Sequence, residues 1–288
     1  MKILLTGANG QLGKQVQQLA PPGMQLVALT SDQLDLTNAE QVQVLVRHHQ
    51  PDVVINAAAY TQVDKAESES GFAFAVNQHG VANLVNATNA NTRLIHISTD
   101  FVFDGHSQVP YPTNAIPNPL SVYGQSKLAG EQILQQQVST HSCIIRTAWL
   151  YSAGSKNFLH TMLQLMQTRD SLRVVADQRG TPTSAAGLAV AVWRAVQLPQ
   201  VNGILHWTDE GETTWYGFAC EIQRLGLEYG LLQEQVPIHP IATSDYPTPA
   251  RRPAYSVLDK ESTFAALGLR ALPWQAALAT VIRQLANN

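Results

Sequence analysis

Tyr123 and Lys127 stand four residues apart in the run Tyr123-Gly-Gln-Ser-Lys127. On a helix this spacing puts both side chains on one face, about 6 Å apart along the axis. A phenol with an ordinary pKa of about 10 exchanges protons slowly near neutrality. A neighbouring ammonium favours the phenolate and brings the group toward working pH. The pair therefore reads as a tuned proton donor or acceptor. Ser98-Thr99-Asp100, at the carboxyl end of an apolar run at 93–98, supplies hydroxyls able to hold a substrate oxygen beside the phenol. Each feature is weak alone: helices carry such pairs by chance, and strand-terminal Ser or Thr commonly caps the following turn.

A second pattern, more than a hundred residues earlier, makes the signal joint. Gly7-Ala-Asn-Gly10-Gln-Leu-Gly13 follows the apolar run Lys2–Thr6 and opens a helical segment. Gly7 permits a tight turn, Gly10 lets a phosphate approach the backbone, and Gly13 allows the helix to pack closely on a sheet. The helix start then presents unpaired N–H groups and a positive dipole end to a pyrophosphate. The spacing GxxGxxG is a variant of the dinucleotide fingerprint, and the plain alternative is an ordinary strand–helix turn. Asp35-Leu36 is placed to reach an adenine edge, and the small residues of Ala57-Ala-Ala-Tyr60-Thr61 suit a close-passing cofactor. The second apolar run ends at Thr30-Ser31, with neither an acid for a ribose hydroxyl nor an Arg for a 2′-phosphate. These residues leave NADH and NADPH equally open.

The elements that must position these groups follow from periodicity. Runs at Lys2–Thr6, Gln25–Leu29, 52–56, 93–98 and Ser142–Thr147 have strand length and are mostly continuously apolar, as parallel strands covered on both faces are. Helical segments at 11–20, Ala39–His49, 71–90 and Val122–Gln137 alternate with them, with Thr37 or Asn38 and Ser121 as caps. This order predicts an α/β, Rossmann-like doubly wound parallel sheet. The second half carries helical patterns at 157–168, 184–197, 213–225 and 273–285, separated by turn-rich stretches. Residues 1–150 thus read as a dinucleotide-binding domain and 151–288 mainly as a substrate-binding lobe, some of whose segments return to the first domain.

Composition narrows the classes. With 288 residues, 45% of them hydrophobic, the chain can bury a sizeable core. A net charge of −3 offers no electropositive face for nucleic acid. No apolar run approaches membrane length and no signal segment is visible, so a soluble cytoplasmic protein is expected. Cys143 and Cys220 sit among apolar residues and read as buried free thiols. The nine histidines show no metal-ligand spacing; His96 falls mid-strand and reads as structural. Arg251-Arg252, in a Pro-rich loop, suits either charge-assisted binding of a substrate diphosphate or a solvated or structural pair of arginines.

TGANGQLG at the start, NAAAYTQVDKAE at 56–67, ISTDFVFDG at 97–105 and YGQSKLAGE at 123–131 resemble the extended short-chain dehydrogenases/reductases. RTAWLY at 146–151 and ARRPAYSVLD at 250–259 narrow the resemblance to the dTDP-4-dehydrorhamnose reductase family, over nearly the whole chain. The resemblance implies reduction of the C4 ketone of a dTDP-linked 4-keto-6-deoxysugar by NADPH or NADH. It implies Tyr123 as the acid, Lys127 as the group orienting the nicotinamide ribose, and Thr99 as the partner of the carbonyl oxygen. Gly10, Gln11 and Leu12 would hold the pyrophosphate, Asp35 and Leu36 the adenine half, and Ala59, Tyr60 and Thr61 the cofactor channel. Thr99, Asp100 and Trp149 would contact the sugar nucleotide.

Two departures stand out. Phe101 replaces the Tyr of many relatives and removes a hydroxyl from the substrate side. Ser184-Ala185-Ala186 after Pro182-Thr183 lacks the Glu with which some relatives bind Mg2+ at a dimer interface, so no metal is assigned and the expectation is a monomer or homodimer. The rivals are a sugar-nucleotide 4,6-dehydratase, disfavoured because Phe101 cannot take a proton; a 4-epimerase; and a non-catalytic subunit similar to the β subunit of methionine adenosyltransferase.

Overall fold

The computed structural model describes residues 1–287. Six strands form one parallel sheet: β1 (Lys2–Thr6), β2 (Gln25–Leu29), β3 (Val53–Asn56), β4 (Arg93–Thr99), β5 (Ser142–Thr147) and β6 (Gly203–His206). Their order across the sheet is β2-β1-β3-β4-β5-β6. The chain reverses its direction of travel between β1 and β3, which creates a crevice at the strands' carboxyl ends. The register aligns Thr6 with Asn56 and Asn56 with His96, so three polar residues lie side by side across the sheet.

Alternation along each strand divides the core. Ile3, Leu5, Val53, Ile55 and Ile95 face one layer, against Leu12 and Val16 of α1 (Gln11–Gln18) and Leu188, Val192 and Trp193 of α6 (Ala185–Gln197). Leu4, Val54, Leu94 and Ile144 face the other. There they meet Val42 and Val46 of α2 (Ala39–His49), residues 81–85 of α3 (70–87) and Leu134 of α4 (Val122–Gln137). Both faces are dry, which is why the strands read as unbroken apolar runs.

The caps explain the helix starts. Asn38 accepts from the Gln41 N–H, Ser121 from Gly124 and Ser184 from Gly187. The segment expected as one helix at 71–90 is instead α-helical at Ser70–Phe74, a π turn at Ala75–His79 and α-helical again at Gly80–Ala87. The π turn carries Asn77, which bonds both the N–H and the carbonyl of Tyr60 and the Ser126 hydroxyl. A helical hydrophobic period cannot register such an insertion, because the pattern resumes on either side of it.

A second apolar cluster belongs to the other lobe. It joins Leu159, Met162 and Met166 of α5 (Phe158–Thr168) to Phe218, Ile222 and Leu225 of α7 (Trp215–Glu228) and to Leu278 and Ile282 of α9 (Trp274–Ala286). The short parallel pair Leu172–Val175 and Ile238–Ile241 completes it. The helix α8 (Glu261–Leu267) and the strand β6 pack instead with the central sheet. Neither is announced by the sequence: β6 spans only four residues, and α8 only two turns. Cys143 is buried in β5, whereas Cys220, expected to be buried, is only half-buried on α7. Among the described residues, no helix is long and apolar enough to cross a membrane.

Candidate active site

The crevice at the carboxyl ends of β1, β3 and β4 collects most of the candidate residues. Gly7 leaves β1 with φ +72°, and a Cβ there would lie 2.7 Å from the Ala58 nitrogen. Gly13 is tighter still: a Cβ would sit 2.2 Å from the Gly7 carbonyl oxygen. These two positions admit only glycine, because the turn after β1 touches both α1 and the loop after β3. Gly10 caps α1 with no side-chain acceptor, and the first turn holds no acidic residue. The amide donors of that turn are thus left to an outside anion.

The remaining cofactor-side candidates divide. Leu12 is buried in the core. Gln11 turns its side chain to the other lobe, donating to the Leu150 carbonyl and accepting from Ser152 and Asn157. Asp35 is exposed and accepts from the N–H and hydroxyl of Thr37. Leu36 turns inward, and its carbonyl is held by Asn83. In the loop after β3, Ala59 is half-buried and Thr61 exposed. Tyr60 is buried, donates to Glu69 at 2.7 Å and packs in one cluster with Tyr123.

Tyr123 sits in the first turn of α4, two residues after the capping Ser121. Gly124 brings that helix against the 3-10 turn Asp100–Val102: a Cβ would lie 2.2 Å from the Phe101 carbonyl oxygen. This approach seats the Phe101 ring edge-on to Tyr123, with centroids 5.6 Å apart. It also places the phenol beside Thr99. Burial pushes the Tyr123 phenol up to about 12, against a downward pull from Thr99 and with an upward one from Asp100. The expected lowering by Lys127 is not what the structure shows. Lys127, 1% exposed, donates to the Ile97 carbonyl at 2.6 Å and lies 3.3 Å from His96 Nε2. Burial lowers its pKa to about 8, with Glu131 opposing. Removing water disfavours both charged forms, and neither residue is among the groups that shift the other.

The hydroxyls at the end of β4 have separate fates. Ser98 donates inward to Glu131, which is fully buried and bonded to Arg146 at 2.6 Å. Thr99 turns to the site and donates to Asp100 Oδ1 at 3.1 Å. Asp100 is 2% exposed, and among the described residues its Oδ2 has no hydrogen-bond partner. Burial raises its carboxyl to about 6, opposed by Ser256 and Thr99. A buried acceptor with a spare oxygen beside a phenol is suited to a polyhydroxylated ligand. Ser256, from the motif at 250–259, is the member that residue-by-residue reading passed over.

Trp149 follows β5 with φ +47° and stacks on Trp215 at 3.6 Å, its indole edge over Gly180. Trp215 has no motif of its own and was not anticipated. Of the arginine pair, Arg252 forms a two-pronged bridge with Asp64 at 2.8 and 3.0 Å and also donates to Thr248, while Arg251 is exposed. Arg252 is thus held in a structural contact whose partner, Asp64, the sequence did not indicate. Among the described residues, no group of three or more His, Cys, Asp or Glu side chains is arranged to hold a metal ion.

A doubly wound sheet, an uncapped glycine turn at its switch point and a Tyr/Lys/Thr cluster at the neighbouring strand ends define the class, a pyridine-nucleotide-dependent oxidoreductase of the short-chain dehydrogenase type. The chain belongs to the family described as RmlD substrate binding domain, which matches residues 1–287. It is 39% identical to a dTDP-4-dehydrorhamnose reductase of Aggregatibacter actinomycetemcomitans, over 97% of this chain and 98% of that one. Among solved structures, a dTDP-4-dehydrorhamnose reductase from Clostridium acetobutylicum superposes with a TM-score of 0.93 at 39% identity, covering 99% of each chain. That from Bacillus anthracis, solved in complex with NADP, gives 0.91 at 34% identity, covering 98% of this chain and 99% of that one.

Proposed function

We propose that this protein reduces the C4 ketone of dTDP-4-dehydro-β-L-rhamnose to dTDP-β-L-rhamnose, using NADPH or NADH, on the route to rhamnose-containing cell-surface polysaccharide. The observation that carries the reading is the Tyr123 phenol, seated beside Thr99 at the mouth of the dinucleotide crevice. Family membership and the dTDP-4-dehydrorhamnose reductases of similar length support the substrate.

The bound nicotinamide supplies the hydride that reaches C4. Gly7, Gly10 and Gly13, with the amides of Gln11 and Leu12, hold the pyrophosphate at the uncapped start of α1, which carries no competing carboxylate. Asp35 and Leu36 border the adenine half through their backbone, and Ala59, Tyr60 and Thr61 wall the channel. Thr99 donates to the ketone oxygen, and Tyr123 passes its proton to that oxygen as the alkoxide forms. The phenol carries its proton at neutral pH, as any phenol does, and burial, which raises it to about 12, makes it a weaker acid. Lys127 orients the nicotinamide ribose, while Asp100 and Trp149 contact the sugar nucleotide. The lobe is built largely from residues after 150, with α6, β6 and α8 assigned to the dinucleotide domain. The protein acts in the cytoplasm, as a monomer or homodimer without a bridging Mg2+.

The test is direct. The purified chain is mixed with NADPH and dTDP-4-dehydro-L-rhamnose, and the sugar product is identified by NMR. dTDP-L-rhamnose is the expected product; its C4 epimer, or absence of coenzyme oxidation, refutes the reading.

A further inference from the structure

A line of buried polar groups runs beneath the site and takes no part in the scheme above. Thr6 Oγ1 donates to Asn56 Oδ1 at 2.7 Å, and the Ala58 backbone N–H donates to the same oxygen at 3.2 Å. Asn56 Nδ2 faces His96 Nδ1 at 3.1 Å, and His96 Nε2 faces Lys127 Nζ at 3.3 Å. Asn56, His96 and Lys127 are 2%, 1% and 1% exposed, so water cannot repair a mismatched pair.

Donor and acceptor roles propagate along this line. A backbone N–H can only donate, so Ala58 fixes the oxygen of Asn56 on its side and the amide NH2 on the side of His96. His96 Nδ1 must then accept. A neutral imidazole accepting at Nδ1 carries its proton on Nε2, which points that proton at Lys127. An ammonium opposite it would set N–H against N–H. An amine instead accepts from Nε2–H and still donates to the Ile97 carbonyl.

We propose that His96 is a positioning residue that, locked by Asn56 in its Nε2–H form, faces Lys127 with a donor and so sets the pH at which Lys127 loses its ammonium proton. The inference deepens the proposed function and rests on it for its kinetic consequence, though not for the tautomer. The other groups around Lys127 are few. Tyr123 and Glu131 lie on its own helix, and Glu131 is engaged by Ser98 of β4 and Arg146 of β5. The 70–79 segment reaches α4 through the neutral Asn77, and the 3-10 turn brings Asp100 near Tyr123. His96 is the titratable group in contact with the amine from outside α4. Burial drives both His96 and Lys127 toward their neutral forms, in agreement with an imidazole–amine contact.

Heteronuclear NMR of the wild-type chain, free of substrate, reads the tautomer at pH 7 and the Lys127 titration. The Nε2–H form is expected; an Nδ1–H form or an imidazolium overturns the proposal. Asn56→Asp replaces the donor to Nδ1 by an acceptor, reversing the tautomer so that Nε2 accepts from an ammonium. His96→Gln, neutral, lets a carbonyl turn to the amine without the added charge. In both variants the Lys127 titration, and the alkaline fall of kcat/KM for the keto-sugar, should move up by about one pH unit. At pH 9 that leaves roughly tenfold more of the ammonium form relative to the amine than in wild type. Titration curves unmoved in two folded variants overturn it. Absence of ketone reduction with the expected tautomer and titration shifts would refute the substrate assignment and leave the His96 role standing.

Discussion

Tyr123→Phe removes one oxygen and leaves the ring packed against Phe101 and Tyr60, so the loss should fall on chemistry. Turnover is expected to drop by about 10²- to 10⁴-fold, with coenzyme affinity within about twofold of wild type, as stopped-flow and fluorescence titration would show. Asp100 makes the opposite case, a residue that costs stability. Its folded carboxyl is raised from 3.8 to about 6 by burial. The stability it contributes is therefore complete below about 3.8 and lost as the pH rises through about 6. Asp100→Asn should stabilise the fold by up to about 3 kcal/mol at pH 8 but by little at pH 4, while raising KM for the sugar nucleotide. Equal gains in denaturant unfolding at both pH values would contradict this. The spacing of Tyr123 and Lys127 was legible in sequence. The direction in which burial shifts them was not, because desolvation depends on what closes over a side chain.

At the scale of elements, the meeting of Tyr123 with Thr99 depends on how closely α4 approaches the turn after β4. Gly124 sets that distance, since any Cβ would collide with the Phe101 carbonyl. Gly124→Ala should push the start of α4 away from Thr99, lowering kcat by about tenfold or more with a smaller effect on coenzyme KM, because Lys127 lies further along α4 and the glycine turn after β1 is untouched. A matched loss in coenzyme affinity would show that the two elements are not independent. Most of the sheet was readable because parallel strands buried on both faces leave long apolar runs, and Ser121 marks the start of α4 with a side chain suited to capping. The π turn at Ala75–His79 was hidden because one inserted residue leaves hydrophobic spacing nearly unchanged. β6 was hidden because its four residues earn their place only by pairing with β5.

Across the whole molecule, hydrogen bonds and an ion pair tie segments after residue 150 to the sheet and its loops. Gln11 is held by Leu150, Ser152 and Asn157, and Arg252 bridges to Asp64 beside the loop after β3. Arg252 holds the Asp64 carboxyl below its ordinary range, so this bridge persists at neutral pH and weakens in acid. Arg252→Ala should raise KM for the sugar nucleotide severalfold with a melting temperature nearly unchanged, because the pair is partly exposed and well screened. A large fall in melting temperature with unaltered KM would assign the bridge to stability alone. Taken by itself, the sequence determined the doubly wound sheet, the glycine turn and the spacing of Tyr123 and Lys127, since these depend on local periodicity, backbone sterics and spacing along one helix. Only the tertiary structure decided that Arg252 serves Asp64, that Trp215 supports Trp149 and that His96 faces Lys127. Those partners lie tens to nearly two hundred residues apart, and donor–acceptor matching between them exists only once the chain has closed around them.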